Sequence, residues 1–146
     1  MKVHLGLLTL FILLQLTFAT TINIPENYPT IQEGIDNSIN GDTVLVSEGT
    51  YYENLIIQNK DIAIITLSDN TTLDGSGSGP VVSYFDVSES ALLEGFILRN
   101  GTGHPSSFSG FLFGGGIYCE SSAPHLNQLN ISGNTAFSGG GIAYYS

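Results

Sequence analysis

The chain has 146 residues, with 13 acidic and three basic side chains, and its formal charge at pH 7 is −10. A chain this acidic lacks the basic surface that phosphate backbones attract, so the composition argues against nucleic acid as a partner. The single cysteine excludes an intrachain disulfide and a multi-cysteine zinc site. Apolar residues make up 42% of the chain and there are 18 glycines, which favours an all-β protein with a core and many turns.

Residues 1–19 have the pattern of a secretory signal peptide. Lys2 precedes an apolar run from Leu5 to Phe18, and Thr17-Phe18-Ala19 forms a small-x-small cleavage site. The run of about 14 residues is shorter than the roughly 18–20 that cross a bilayer, which disfavours a membrane anchor. We therefore predict residues 1–19 as a leader, no transmembrane helix in the mature chain, and a secreted protein that is extracellular, at the outer surface or in the periplasm.

The segment 20–42 contains a helical pattern. Thr30 and Glu33 have the spacing of a capping box, and Asn40-Gly41-Asp42 is a stop signal. Three isoleucines form one apolar stripe at helical spacing: Ile31, Ile35 and Ile39. The pattern predicts an amphipathic helix of about nine or ten residues, which is stable only if its stripe packs against an apolar surface.

From residue 43 onward, the chain consists of short apolar segments separated by Gly, Asn, Asp or Ser. The predicted strands are residues 43–46, 55–57, 62–65, 71–73, 81–87, 91–93 and 96–98. Their connections are too short for βαβ crossovers, so we predict strands without intervening helices.

Two internal repeats indicate a stacked architecture. The segment 114–118, Gly-Gly-Gly-Ile-Tyr, recurs with Gly-Gly-Gly-Ile at 139–142, which defines a short offset. A second set of similar residues relates Leu93, Phe96 and Leu98 to Leu126, Leu129 and Ile131. Its offset is longer than that of the first set, which predicts a loop insertion within 101–113. Self-similarity at such periods, with strands alone, predicts a β-solenoid. Asn100 and Asn134 end equivalent segments and either stack as an asparagine ladder or are ordinary turn residues.

At a short offset of about 25 residues for each coil, residues 43–146 form about four coils, and the helix covers their N-terminal end. The sequence shows no matching lid after the last coil and stops within a repeat at Tyr144-Tyr145-Ser146. We therefore expect a fragment whose last coil is followed by further β-helix coils of the same protein. Expressed alone, it is expected to aggregate through that coil.

Several segments carry a resemblance to a known family. Residues 24–36, Ile-Pro-Glu-Asn-Tyr-Pro-Thr-Ile-Gln-Glu-Gly-Ile-Asp, resemble the opening segment of pectin-lyase-like, right-handed parallel β-helix proteins. Residues 93–101 and 114–119 resemble later coils of large bacterial secreted β-helix proteins. The resemblance covers residues 22–146 and implies an all-β, right-handed parallel β-helix with a short N-terminal capping helix. The matching residues are cap, turn and core positions, so the resemblance implies a fold more than an activity.

Enzymes of this family use distinctive polar groups. Pectate lyases use clustered Asp or Glu that hold Ca²⁺ together with a basic residue, and polygalacturonases use paired Asp with a Gly-His-Gly element. Without the leader, Lys60 and Arg99 are the only basic residues, neither lies in such a motif, and Lys60 is interpreted as a solvated turn residue. The acidic residues are spread singly: Asp61, Asp69, Asp74, Asp86, Glu89, Glu94 and Glu120. We predict no catalytic, cofactor-binding or metal-binding residues, with a loose Ca²⁺ site of Asp69, Asp74 and Asp86 as the alternative.

Other candidate residues are isolated. His104 and His125 lie in separate segments, so a shared metal ion is not expected. Cys119 shares the face of Ile117 and is predicted to be a buried thiol. Three tyrosines either stack on sugar rings or are partly buried: Tyr118, Tyr144 and Tyr145.

Two functions are compatible with this sequence. The favoured one is a non-catalytic secreted or cell-surface β-helix module, a scaffold, adhesin or glycan-contacting unit whose partners are extracellular polysaccharides or cell-surface components. The alternative is the N-terminal part of a pectin-lyase-like lyase, esterase or hydrolase with its catalytic coils downstream. The first is favoured because the fold pattern is strong while the catalytic motifs are missing from the sequence.

Overall fold

The computed structural model describes residues 18–106 and 110–146. The predicted signal peptide therefore lies almost entirely outside the described residues. One helix, α1 (Ile31–Asp36), follows the first strand. The strands are β1 (Thr21–Ile24), β2 (Thr43–Val46), β3 (Thr50–Tyr51), β4 (Leu55–Gln58), β5 (Ala63–Thr66), β6 (Thr72–Asp74), β7 (Val82–Phe85), β8 (Leu92–Glu94), β9 (Ile97–Arg99), β10 (His104–Pro105), β11 (Leu112–Phe113), β12 (Ile117–Glu120), β13 (His125–Asn127), β14 (Asn130–Ile131) and β15 (Ile142–Tyr145). Among the described residues, no helix is long and apolar enough to cross a membrane.

Most strands belong to three parallel sheets. Sheet 1 has the order β1-β2-β5-β8-β13, sheet 2 has β3-β6-β9-β14, and sheet 3 has β4-β7-β12-β15. From β2 onward the chain visits sheets 1, 2 and 3 in turn, four times over, interrupted by the antiparallel hairpin β10–β11. We call each such set of three strands a layer. The chain is thus predominantly β, with parallel sheets and little helix, an arrangement compatible with a β-solenoid.

The register confirms the repeats found in the sequence. Ile117 pairs with Ile142, at the short offset, while Leu93 pairs with Leu126 and Leu98 with Ile131, at the long one. The long offset arises because the hairpin β10–β11 is inserted between β9 and β12, within the predicted insertion. Alternate side chains of each strand therefore point to the same side in successive layers, as strand geometry requires.

The asparagines that end equivalent segments do not form a ladder. Asn100 has a φ of 58° and is a turn residue in the left-handed region, where Asn is tolerated. Its Nδ2 donates to Asp74 Oδ2 at 2.8 Å. Asn134 lies one residue further along its own layer, and its Oδ1 accepts from the Gly101 backbone N–H at 2.8 Å.

The core fills the space between the sheets with apolar side chains that repeat from layer to layer. In sheet 3 the inward positions form two columns, Leu55-Val82-Ile117-Ile142 and Ile57-Tyr84-Cys119-Tyr144. The first three members of each column are buried, but Ile142 is 37% and Tyr144 is 60% exposed. The described core is therefore uncovered at its C-terminal layer.

The helix α1 is shorter than the sequence pattern predicts. Ile31 and Ile35 are buried, as predicted, but Ile39 is 47% exposed and lies outside the helix. Other groups bind the chain at the end of the helix and directly after it. Lys60 Nζ donates to the carbonyls of Ile35 and Ser38 at 2.8 and 3.0 Å, and Asp42 Oδ2 accepts from the Ile39 N–H at 2.8 Å.

Close backbone approach between layers explains the repeated glycines. A Cβ on Gly116 would lie 2.5 Å from both the Gly141 carbonyl oxygen and Ile131 Cγ2, whereas a Cβ on Gly141 would meet its nearest neighbour, Ile131 Cγ2, at 3.9 Å. The two glycines occupy equivalent repeat positions, but only Gly116 has a described layer on both sides. A side chain at Gly116 therefore forces adjacent layers apart.

Replacing Gly116 by alanine is expected to lower the free energy of unfolding by about 2 kcal/mol, since this is a typical cost of overpacking. The matched control is Gly141→Ala, which is expected to change it by less than about 0.5 kcal/mol, as for other open sites. Urea-induced unfolding followed by circular dichroism measures both. Equal losses for the two variants would contradict the stacking of these layers.

Candidate functional site

A small pocket lies between the hairpin β10–β11 and the outward face of sheet 3. It has a volume of about 110 Å³ and is lined by residues of β10, β11, β12 and β15. Five of the lining residues are His104, Phe113, Tyr118, Glu120 and Tyr145. Four of these five are aromatic and one is a carboxylate.

Strand alternation brings these groups to one face. Ile117 and Cys119 are fully buried in the core, so Tyr118 and Glu120, between and after them, point to the opposite face of β12. The register aligns Glu120 with Phe85 of β7 and Tyr145 of β15. Because neighbouring strands lie about 4.8 Å apart, Glu120 is flanked on both sides by an aromatic side chain.

The hairpin encloses this face. The His104 ring stacks on Tyr118 with centroids 4.5 Å apart and an interplanar angle of 16°, and Phe85 lies 5.9 Å from both rings. As a result Tyr118 is only 5% exposed although it points away from the core. His104 Nδ1 is buried and has no hydrogen-bond partner within the described ranges.

Tyr118 and Glu120 are joined by a hydrogen bond. The Tyr118 hydroxyl donates to Glu120 Oε2 at 2.9 Å. Burial and this hydrogen bond to the carboxylate, in that order of size, raise the pKa of Tyr118 to about 12. The hydroxyl therefore stays protonated at neutral pH and holds the carboxylate at the pocket wall.

The structure brings together some of the candidates from the sequence and separates others. His104, Tyr118, Tyr145 and Glu120 line one pocket, while His125 lies in β13 of sheet 1. The face of Tyr118 is occupied by His104, so Tyr144 and Tyr145 are the more exposed of the three candidate tyrosines, at 60% and 42%. The sequence indicated an insertion at this place, but not that it returns over β12.

Asp74 and Arg99 form an ion pair between adjacent strands of sheet 2. Arg99 Nε donates to Asp74 Oδ2 at 3.0 Å, and Oδ1 accepts from the Ser76 backbone N–H at 3.0 Å. Burial alone would raise the pKa of Asp74, but the hydrogen bonds from Ser76, Asn100 and Arg99, together with the charge of Arg99, hold that pKa below its ordinary value. The carboxylate thus ties one layer to the next.

Other isolated carboxylates have the same role. Glu53 accepts from the N–H groups of Ile31 and Gln32 at 3.0 and 2.9 Å, and so binds the first turn of α1. Asp61 accepts from the Ser88 N–H at 2.8 Å, and Glu94 accepts from Asn127 Nδ2 at 2.9 Å. Each of these bonds joins segments that are far apart in the sequence and that belong to different layers or to the helix.

Lys60 is not the solvated turn residue that the sequence indicated. It does follow a turn, since Asn59 has a φ of 53°. Its Nζ, however, lies within hydrogen-bond distance of the carbonyls at the end of α1, where a positive charge interacts favourably with the helix dipole.

The three aspartates of the alternative calcium site lie in or beside different strands. Asp74 ends β6 and bonds to Arg99, while Asp86 follows β7 of sheet 3 and Asp69 precedes β6. Within the described ranges, no group of three or more His, Cys, Asp or Glu side chains is placed to hold a metal ion.

Comparisons with known protein families, with curated proteins and with solved structures give no match for this chain. The pocket groups are spaced irregularly in the sequence, at 104, 113, 118, 120 and 145. The mismatch between the short and the long repeat offset located the insertion, but no pattern in the sequence grouped these residues into one site.

Removing the charge of Asp74 is expected to destabilise the fold. Asp74→Asn loses a charge-assisted contact with Arg99 and is expected to lower the free energy of unfolding at pH 7 by about 1–3 kcal/mol. The pKa of Asp74 in the native state lies below the ordinary value of about 3.9. The stabilisation by its charge is therefore fully present above about pH 3.9 and is lost as the pH falls through the native pKa. Urea titrations between pH 7 and 2 measure it.

The control for this experiment is Asp69→Asn, since Asp69 is exposed. The Asp74 variant is expected to lose part of the acid dependence of the wild type, while the Asp69 variant keeps it. An unchanged acid dependence in the Asp74 variant would contradict the assigned role.

Cys119 is fully buried, and burial raises its pKa to about 12. The thiolate is the reactive species, so the native thiol is expected to react with a disulfide reagent at pH 8 at least about 100-fold more slowly than the same thiol in concentrated urea. The rate of colour release from such a reagent measures this. Similar rates in the two solutions would show that the thiol is accessible.

Proposed function

We propose that this chain is part of a right-handed parallel β-helix of the pectin-lyase-like kind and acts as a non-catalytic secreted or cell-surface module. The observation that carries the proposal is the recurring order of the three parallel sheets, whose strands pair in register over four layers. A stack of this kind presents long, regular side faces, which suit a scaffold or an adhesive surface.

The helix α1 acts as the cap of this β-helix. It contacts β1, β2 and β4, and it buries Ile31 and Ile35 against them. Glu53 binds its first turn and Lys60 binds its last carbonyls, so both ends are fixed to the strands below. Such a helix shields the first layer, whose apolar side chains and strand edges would otherwise be open.

The opposite end offers a surface for further coils of the same protein. In the described structure, β13, β14 and β15 are the last strands of the three sheets. The side chains that continue the core columns there, Ile142 and Tyr144, are exposed. Another layer would pair with these strands and cover both side chains, as Ile117 and Cys119 are covered in the layer before.

Several contacts support a non-catalytic role. The Lys and Arg side chains of the described ranges, Lys60 and Arg99, bond to the end of α1 and to Asp74, and so stabilise the fold. A uronate lyase needs a basic group directed at its substrate. If the alternative is a lyase with catalytic coils downstream, its basic group then has to come from other coils.

A side face near the hairpin suits contact with glycans. Phe111 and Phe137 stack with centroids 4.0 Å apart, and they are 48% and 67% exposed. Exposed aromatic rings pack well against the apolar faces of sugar rings. We therefore place the polysaccharide contact at this aromatic pair, beside the side faces of the stack.

The proposal predicts binding without turnover. The full chain is expected to bind an immobilised neutral polysaccharide such as a galactan, and Phe137→Ala is expected to weaken binding by about fivefold, a typical value for one aromatic contact. Leu67→Ala is the control, because Leu67 is 86% exposed and lies in the turn between β5 and β6. Surface plasmon resonance measures both.

The same sample is incubated with polygalacturonate and with methylated pectin. Unsaturated uronate, reducing ends and methanol are measured, and none is expected above the background. Product release above the background by the purified chain would establish the enzyme instead of the module.

A further inference from the structure

The pocket under the hairpin combines aromatic walls with one negative charge. His104, Phe113, Tyr118 and Tyr145 form most of its lining, and Glu120 adds a carboxylate. Aromatic faces carry partial negative charge, so several of them around a small cavity attract a cation. A carboxylate in the same wall strengthens that attraction.

Among the described residues, no basic side chain forms an ion pair with Glu120. Of the described residues, only Tyr118 donates a hydrogen bond to its carboxylate. The ion pair in the described ranges joins Arg99 and Asp74, and Lys60 bonds to the end of α1. The chain as a whole carries a charge of −10, which further raises the local concentration of cations.

The size of the cavity limits the ligand. An apolar cavity of about 150 Å³ accommodates benzene. The volume of about 110 Å³ under the hairpin therefore suits a compact group of about five heavy atoms. A trimethylammonium group has this size and needs no hydrogen-bond acceptor, which suits walls made largely of rings.

We propose that this pocket binds a small organic cation, a quaternary ammonium or methylated amine group, through its aromatic walls and Glu120. The site is separate from the exposed Phe111–Phe137 pair to which the glycan contact is assigned. A sugar ring with its hydroxyl groups fits the pocket less well, because it is larger than the group of about five heavy atoms that a volume of about 110 Å³ suits. An anion is repelled by Glu120.

Choline chloride titrated into the full chain and followed by NMR tests the proposal. The neutral comparison ligand is 3,3-dimethylbutan-1-ol, which has the shape of choline but carries no charge. Choline is expected to shift the ring resonances of His104 and Tyr118, and to bind at least about 10-fold more tightly than the neutral alcohol. Equal binding of the two, or unchanged ring resonances at saturating choline, would overturn the proposal.

Two variants locate the site. Glu120→Gln keeps an oxygen acceptor for the Tyr118 hydroxyl and is expected to weaken choline binding by about 10-fold. Tyr145→Leu, at a position 42% exposed, is expected to weaken it by about fivefold. The control is Tyr144→Leu, because Tyr144 lies on the opposite face of the same strand and is expected to change the affinity by less than about twofold.

The ring resonances of His104 in the absence of choline show that each variant keeps the pocket. Choline affinity unchanged by both Glu120→Gln and Tyr145→Leu would place the cation elsewhere and overturn the assignment. Whether or not choline binds in this pocket, the polysaccharide binding at Phe111 and Phe137 is measured separately. Failure of the cation site is therefore distinguishable from failure of the proposed module.

Discussion

Parallel pairing between strands that lie one layer apart is the interaction on which the rest of this structure depends. Each strand of a sheet donates to and accepts from strands of the adjacent layers, as in the pairs Thr43–Ala63 and Val82–Ile117. Because the pairing is in register, an apolar residue in one layer must be stacked on another in the next. The same stacking explains why glycine is required at position 116, since the backbone of the next layer lies so close that it would clash with a Cβ atom.

The acidic composition has a structural reason in this arrangement. Successive turns of the chain leave backbone N–H groups and polar side chains at the corners of the layers, and these need acceptors. Glu53, Asp61 and Asp74 supply them, each to a group that is distant in the sequence. A carboxylate accepts several hydrogen bonds at once, so few basic residues are needed to hold the layers together.

Much of the strand pattern was predictable, because period-2 apolar segments and glycine repeats directly reflect the stacking. The strands predicted at 43–46, 55–57 and 96–98 agree closely with β2, β4 and β9. The first strand, β1, is missing from the sequence prediction because the segment Thr21–Ile24 is short and directly precedes the helix signal. Local propensity extended the helix to Ile39, but it could not show that Lys60 and Asp42 bind the chain where it leaves the helix.

The candidate site was less predictable for a related reason. Its groups come from the outward positions of β12 and β15 and from the hairpin, and outward positions carry no periodic apolar signal. What distinguishes this face is that the inserted hairpin covers it, so that Tyr118 is buried although the strand directs it away from the core. A regular stack exposes its outward side chains to water, where a single carboxylate or aromatic ring binds weakly. The insertion removes water from one part of that surface, and electrostatic and aromatic interactions are stronger there because the local dielectric is lower.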